Sequence, residues 1–116
     1  MNYSQYFRLL YNTSYESQYF ESMLSIVIHD GESIQYASEE FKSNKVVVLT
    51  AVAQNGRALR YASDVLKSNK EVVLVAVAQC GRALQYASLS LKSDIDVIFA
   101  AITQDIDAIK YASINI

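Results

Sequence analysis

Polar and apolar positions along this chain recur with a period of 25 residues. Written under one another, residues 32–56, 57–81 and 82–106 align column by column; a partial copy occupies 107–116 and a faded one lies within 1–31. In the first half of each copy the polar columns are 32/57/82/107, 35/60/85/110, 39/64 and 42/67/92. Those steps of three, four and three predict a helix. Between them run Ile34, Leu59, Leu84 and Ile109, then Ala37, Ala62, Ala87 and Ala112, then Phe41, Leu66, Leu91 and Ile116. This apolar stripe faces the core.

The second half contains apolar runs such as Val46-Val47-Val48-Leu49 and Val72 through Ala78, which a buried strand also shows. The varying columns arbitrate. Val46/Glu71/Asp96, Thr50/Val75/Ala100 and Ala53/Ala78/Thr103 lie four and three residues apart, whereas a strand varies at every second position. A second helix is therefore expected. Asn44, Asn69 and Asp94 stand where an N-cap oxygen is wanted, and Gly56 and Gly81 stand at C′, where a left-handed residue ends a helix.

Repeats of this length cannot bury an apolar face alone and must stack on their neighbours. The expected fold is all-α: short helix pairs stacked as a right-handed α-solenoid of about four and a half units, in one domain over residues 1–116. Leu59, Ala62, Leu66, Val73, Leu74, Ala76 and Val77 are expected to form the core of the central unit. Tyr36, Tyr61, Tyr86 and Tyr111, each opening a Tyr-Ala-Ser tripeptide, lie beside the stripe, and their rings are expected to wedge between successive units.

Composition narrows the function. With 52% apolar and 19% charged residues the chain can bury a real core, and with no proline and three glycines in one repeat column it shows no linker. Its longest apolar runs are far below the roughly 20 residues that span a bilayer. The first residues also lack the basic and apolar pattern of a secretory signal. A cytoplasmic location is expected, and the Asn12-Thr13-Ser14 sequon is read as chance. The net charge of −2 argues against a polyanionic partner. Neither nucleic acid nor membrane is expected to bind.

No constellation carries chemistry. Cys80 occupies the column of Asn55 and Asp105 and reads as a bystander thiol. His29 lies two periods before it, roughly 20 Å away at the spacing of packed helices, too far for a Cys/His dyad. Glu39-Glu40, Asp94/Asp96 and Asp105/Asp107 fall at capping or outer helix positions. Neither metal-ligand spacing nor a phosphate cradle is present. No catalytic residue, cofactor or metal is expected.

The segment Arg57 to Gly81 carries, in order, the elements Tyr-Ala-Ser, Leu-Lys-Ser-Asn, Val-Val-Leu-Val-Ala-Val and Gln-Cys-Gly, and these recur through residues 32–113. They closely resemble a catalogued repeat family, the domain of unknown function 4116. The resemblance implies tandem helical repeats of the kind found in proteins of protists and intracellular bacteria, some of them suspected secreted effectors. It implies a host-cytoplasm location if this chain is such an effector, and supplies no activity and no catalytic residue. The chain departs from the pattern at Ile106, which replaces the turn glycine, and before residue 32.

Surface then becomes the candidate for function. Arg57, Arg60, Arg82 and Lys110 fall in two neighbouring columns, shared with Glu32 and Asp107, a mixed ridge suited to a protein contact. Tyr3 and Tyr6 head a tyrosine-rich segment with Tyr11, Tyr15 and Tyr19, readable as a capping helix or as an aromatic binding surface. At the other end Leu89 and Ile114 occupy the column of Glu39 and Asp64, followed by Ile116. Terminal repeats normally turn a polar face outward. This one turns apolar, so a second copy or a partner is expected to cover it unless the tail folds over its own edge. The expected function is a non-enzymatic protein–protein interaction module, a small effector or inhibitor that blocks a macromolecular partner. The alternative is an assembly protein that self-associates through its repeat ends, as in a homodimer.

Overall fold

The computed structural model describes residues 14–114. Helix α1 (Ser14–His29) leads into a series that recurs every 25 residues, with η denoting a 3-10 helix: η1 (Gly31–Tyr36), α2 (Glu39–Lys42), α3 (Lys45–Gln54), η2 (Gly56–Tyr61), α4 (Asp64–Lys67), α5 (Lys70–Gln79), η3 (Gly81–Tyr86), α6 (Leu89–Lys92), α7 (Ile95–Gln104) and η4 (Ile106–Tyr111). Among the described residues there is no strand, so the class is all-α. The long helices α1, α3, α5 and α7 pack on one another in chain order, and so do η1 to η4. The molecule is elongated, 52 × 24 × 22 Å.

The expected helix pair is a triplet, because the first helix breaks at Ala-Ser. Ala62 (φ −70°, ψ 158°) and Ser63 (φ −63°, ψ 159°) are extended. Ser63 caps α4, its Oγ accepting from the Leu66 N–H at 3.4 Å. Its own N–H donates to the Lys42 carbonyl one repeat earlier, at 2.9 Å, as Ser88 does to Lys67 and Ser113 to Lys92. Tyr-Ala-Ser and Lys-Ser are thus two ends of one tie. The step of four between columns 35 and 39 spans this hinge, and so imitated an α-helical period. Within the 3-10 segment residues three apart are eclipsed, which turns both Gly56 and Leu59 inward.

The second half is helical as expected. Asn44 Oδ1 accepts from the N–H groups of Val46 and Val47 at 3.0 and 3.1 Å, Asn69 from Val72 at 3.1 Å, and Asp94 from Asp96 and Val97 at 2.9 and 3.3 Å. The glycines do something other than end these helices. Asn55, φ −150° and ψ 110°, is the C-cap of α3, and none of the three glycines has a left-handed φ. Each opens a 3-10 helix, buried against the next repeat: a Cβ on Gly31, Gly56 or Gly81 would lie well inside contact distance of the carbonyl oxygen of Ala51, Ala76 or Ala101.

In the central repeat Leu59, Ala62, Leu66, Val73, Ala76 and Val77 are buried, as expected, together with Ala58 and Val72. Leu74 is only half-buried. It sits beside the buried face rather than within it. Tyr61, Tyr86 and Tyr111 are half-buried against the core, but Tyr36 is 84% exposed, because no 3-10 helix precedes η1 among the described residues.

Cys80 interrupts a row of caps. Asp30, Asn55 and Asp105 each accept from the N–H two residues on, at 3.2, 3.0 and 3.0 Å, whereas Cys80 offers η3 no side-chain cap. Replacing Cys80 by asparagine should supply one to Arg82 and raise stability by about 0.5–1 kcal/mol. A denaturation midpoint that stays put or falls would show that thiol packing outweighs the cap.

Candidate interaction surface

Two sets of polar ties join successive repeats. The Gln side chain at the end of α3, α5 and α7 reaches back: the Gly31 N–H donates to Gln54 Oε1 at 2.7 Å, Gly56 to Gln79 and Gly81 to Gln104, each at 2.5 Å. This gives the Gln-x-Gly element its reason, since the glutamine serves the glycine of the preceding repeat. The second set is ionic. Lys45 pairs with Glu71 at 2.6 Å, and Lys70 with Asp96 at 2.8 Å and Asp94 at 3.1 Å. Arg82 pairs with Asp105 at 3.0 Å and Asp107 at 3.4 Å.

These pairs shift their members in predictable directions. The hydrogen bond to Asp96, then that to Asp94, raises the pKa of Lys70 above 10.5. The Lys70 ammonium in turn holds Asp94, and the Arg82 guanidinium holds Asp105, below the usual 3.8. A carboxyl whose folded pKa is depressed contributes stability above its unfolded value and loses it as pH falls through the folded one. Stability should therefore be level at mildly acidic pH and drop below 3.8. The effect is modest, because the pairs are exposed and screened. Arg82→Gln should flatten that acid limb in urea titrations at low salt; an unchanged pH profile would remove the pair from the ledger.

The residues proposed for partner contact are spread over η2, η3, α6, η4 and the residues after it. Arg57 and Arg60 are exposed, the latter stacked over Tyr61 at 5.1 Å. Lys110 is exposed over Tyr111 at 5.3 Å, while Arg82 is tied into the next repeat. Leu89 and Ile114 are exposed, on α6 and after η4. Tyr3, Tyr6 and Ile116 lie outside the described residues. His29 closes α1 and Cys80 follows α5, with α3 packed between those helices.

A different set of columns turns out to face the following repeat. Phe20, Leu24 and Val27 of α1 are buried against the stack, and they align with Lys45/Leu49/Val52, Lys70/Leu74/Val77 and Ile95/Phe99/Ile102. In α3 and α5 these positions carry the lysine of the ion pair, a half-buried leucine and a fully buried valine. In α7 every one becomes a larger or more apolar residue, and Ile95 and Phe99 are 76% and 68% exposed. Ile106, 69% exposed, extends the stripe where glycine stood. Lysine to isoleucine, leucine to phenylalanine, valine to isoleucine and glycine to isoleucine together make an apolar end face.

Against the known families, residues 19–67 and again 69–116 match the one described as Domain of unknown function (DUF4116). The chain belongs to this family. Each of the two matches covers close to two of the 25-residue periods, and the first reaches into α1. The DUF4116 pattern accounts for the interior ties, since its Gln-x-Gly, Leu-Lys-Ser and Tyr-Ala-Ser elements are the groups that hold one repeat to the next. Its description carries no activity. No curated protein and no solved structure matches the sequence. Among the described residues of this DUF4116 chain no group of three His, Cys, Asp or Glu is placed to hold a metal ion, and no helix is long and apolar enough to cross a membrane.

Proposed function

We propose that the chain is an α-solenoid of about four and a half repeats working as a non-enzymatic protein–protein interaction module, with its C-terminal end as the binding surface. One observation carries the reading: the columns that receive the next repeat elsewhere are enlarged and apolar in α7 and η4, yet uncovered there. Exposed apolar patches of this kind mark contacts. A small module with one such end acts by docking on a macromolecular partner and blocking it, as an effector or inhibitor in the cytoplasm of its own or a host cell. We assign Leu89 and Ile114 to the same surface as exposed apolar residues of the last repeats.

The test is an affinity capture from the source cell with the parent chain and with Phe99→Asp. A protein recovered by the parent and lost with the variant supports the reading. Equal recovery by both would move the binding surface elsewhere on the molecule.

A further inference from the structure

We infer that the outward face of η2 is a second contact surface, which takes a short acidic segment of a partner protein and seats one of its carboxylates on Arg57 and another on Arg60. This goes beyond the reading of the C-terminal end and stands without it. In a 3-10 helix residues three apart are eclipsed, so Gly56 and Leu59 point inward together, both buried, while Arg57 and Arg60 share the outward side, both exposed. The same two columns carry Glu32 and Gln35 on η1, Arg82 and Gln85 on η3, and Asp107 and Lys110 on η4. Among the described 3-10 helices η2 alone sets two cations on this face.

The next repeat shows what an arginine in this column receives. Arg82 meets two carboxylates from the repeat that follows it, Asp105 at 3.0 Å from Nε and Asp107 at 3.4 Å from a terminal guanidinium nitrogen. One repeat earlier the positions of those two acids hold Cys80 and Arg82. Arg57 therefore lacks the counterions that its equivalent has, and a second arginine stands in line with it. Among the described residues neither Arg57 nor Arg60 enters an ion pair, and Glu32, one repeat back in the same column, does not pair with Arg57. Arg60 lies instead over the Tyr61 ring, 5.1 Å from its centroid.

A carboxylate is the ligand because the molecule itself supplies one at the equivalent point, and a planar guanidinium meets it with paired N–H donors. That a protein brings it follows from what borders the face. Glu32 on η1 lies to one side, and to the other the paired Arg82 with Asp107 beyond it. A run of phosphates across the stack would meet acid on both sides, on a chain whose net charge is already −2. A short acidic segment along η2 meets none. The spacing also suits it: three residues of a 3-10 helix rise about 6 Å, close to the roughly 6.6 Å between alternate residues of an extended chain. Acids two apart in the partner therefore fall opposite Arg57 and Arg60.

The test is an NMR titration of the full chain, following the arginine Nε–H signals, with a peptide that carries two glutamates separated by one alanine. The Arg57 and Arg60 signals should shift and the glutamine version of the peptide should move neither. Arg57→Gln should weaken binding by about three- to fivefold, and added salt should weaken it further. Cys80→Asp is the decisive variant. It returns to Arg57 the acid that Asp105 gives Arg82, so the peptide should weaken at least as much as with Arg57→Gln, whereas Cys80→Asn, which adds no charge, should bind it as the parent does. Equal binding by the Cys80→Asp and Cys80→Asn chains overturns Arg57 as the seat of a carboxylate. Unmoved Arg57 and Arg60 signals at millimolar peptide, or equal shifts with the glutamine version, overturn the surface. A single-stranded RNA oligonucleotide that binds there more tightly than the peptide overturns a protein as its occupant.

Discussion

A single methyl group at Gly56 is expected to cost about 3 kcal/mol, the upper part of the range for overpacking a tight core. The alanine Cβ would run into the carbonyl oxygen of Ala76, which is held in place by α5, and would crowd Cys80 as well. Neither neighbour is the free end of a flexible side chain. The repeat containing α5 must therefore move off η2, which also stretches the bond from the Gly56 N–H to Gln79. The matched control is Ile106→Ala, at the same column but exposed, which should change stability by no more than about 0.5 kcal/mol. Urea denaturation of the two variants checks the pair. Equal losses would mean that the glycine column does not set the spacing between repeats.

Leu59→Ala should cost on the order of 2–5 kcal/mol, the transfer energy of the lost methyls plus that of the cavity. Leu59 is fully buried in η2, between 3-10 helices on either side, and little around it can collapse inward. Leu74→Ala should lose clearly less, because Leu74 is only half-buried. The two leucines are indistinguishable by type and by their share of an apolar column. If the two losses came out the same, side-chain burial would not be what separates them.

The contrast between Leu59 and Leu74 shows how far the column pattern could be read. Comparing copies within one chain separates two of the three varying columns well: Val46, Glu71, Asp96, Ala53, Ala78 and Thr103 are exposed, whereas Thr50, Val75 and Ala100 are half-buried. It separates core from flank poorly, since a column beside the buried face stays apolar for the sake of the next repeat. Val72, fully buried, is masked for the converse reason, since an unbroken apolar run does not show which member points fully inward. The candidate contact surface was partly legible. Leu89 and Ile114 stand out as apolar residues in an acidic column, but Ile95, Phe99 and Ile102 replace lysine, leucine and valine in columns whose contact role shows only in the burial of Phe20, Leu24, Val27, Val52 and Val77.

By itself the sequence determined what is local: the 25-residue period, the helical character of Lys45–Gln54 and its counterparts, and the Asn44, Asn69 and Asp94 caps. Each of these depends on groups within a few residues of one another, so propensity and spacing are enough to specify them. The break at Ala62-Ser63, the glycine pressed against Ala76, the glutamine bonded to a glycine 23 residues earlier and the apolar end of α7 were decided only by the tertiary structure. The partners of the first three lie about one repeat away in the chain, and only stacking brings those groups into contact; the last shows only against the columns that the next repeat covers in α3 and α5.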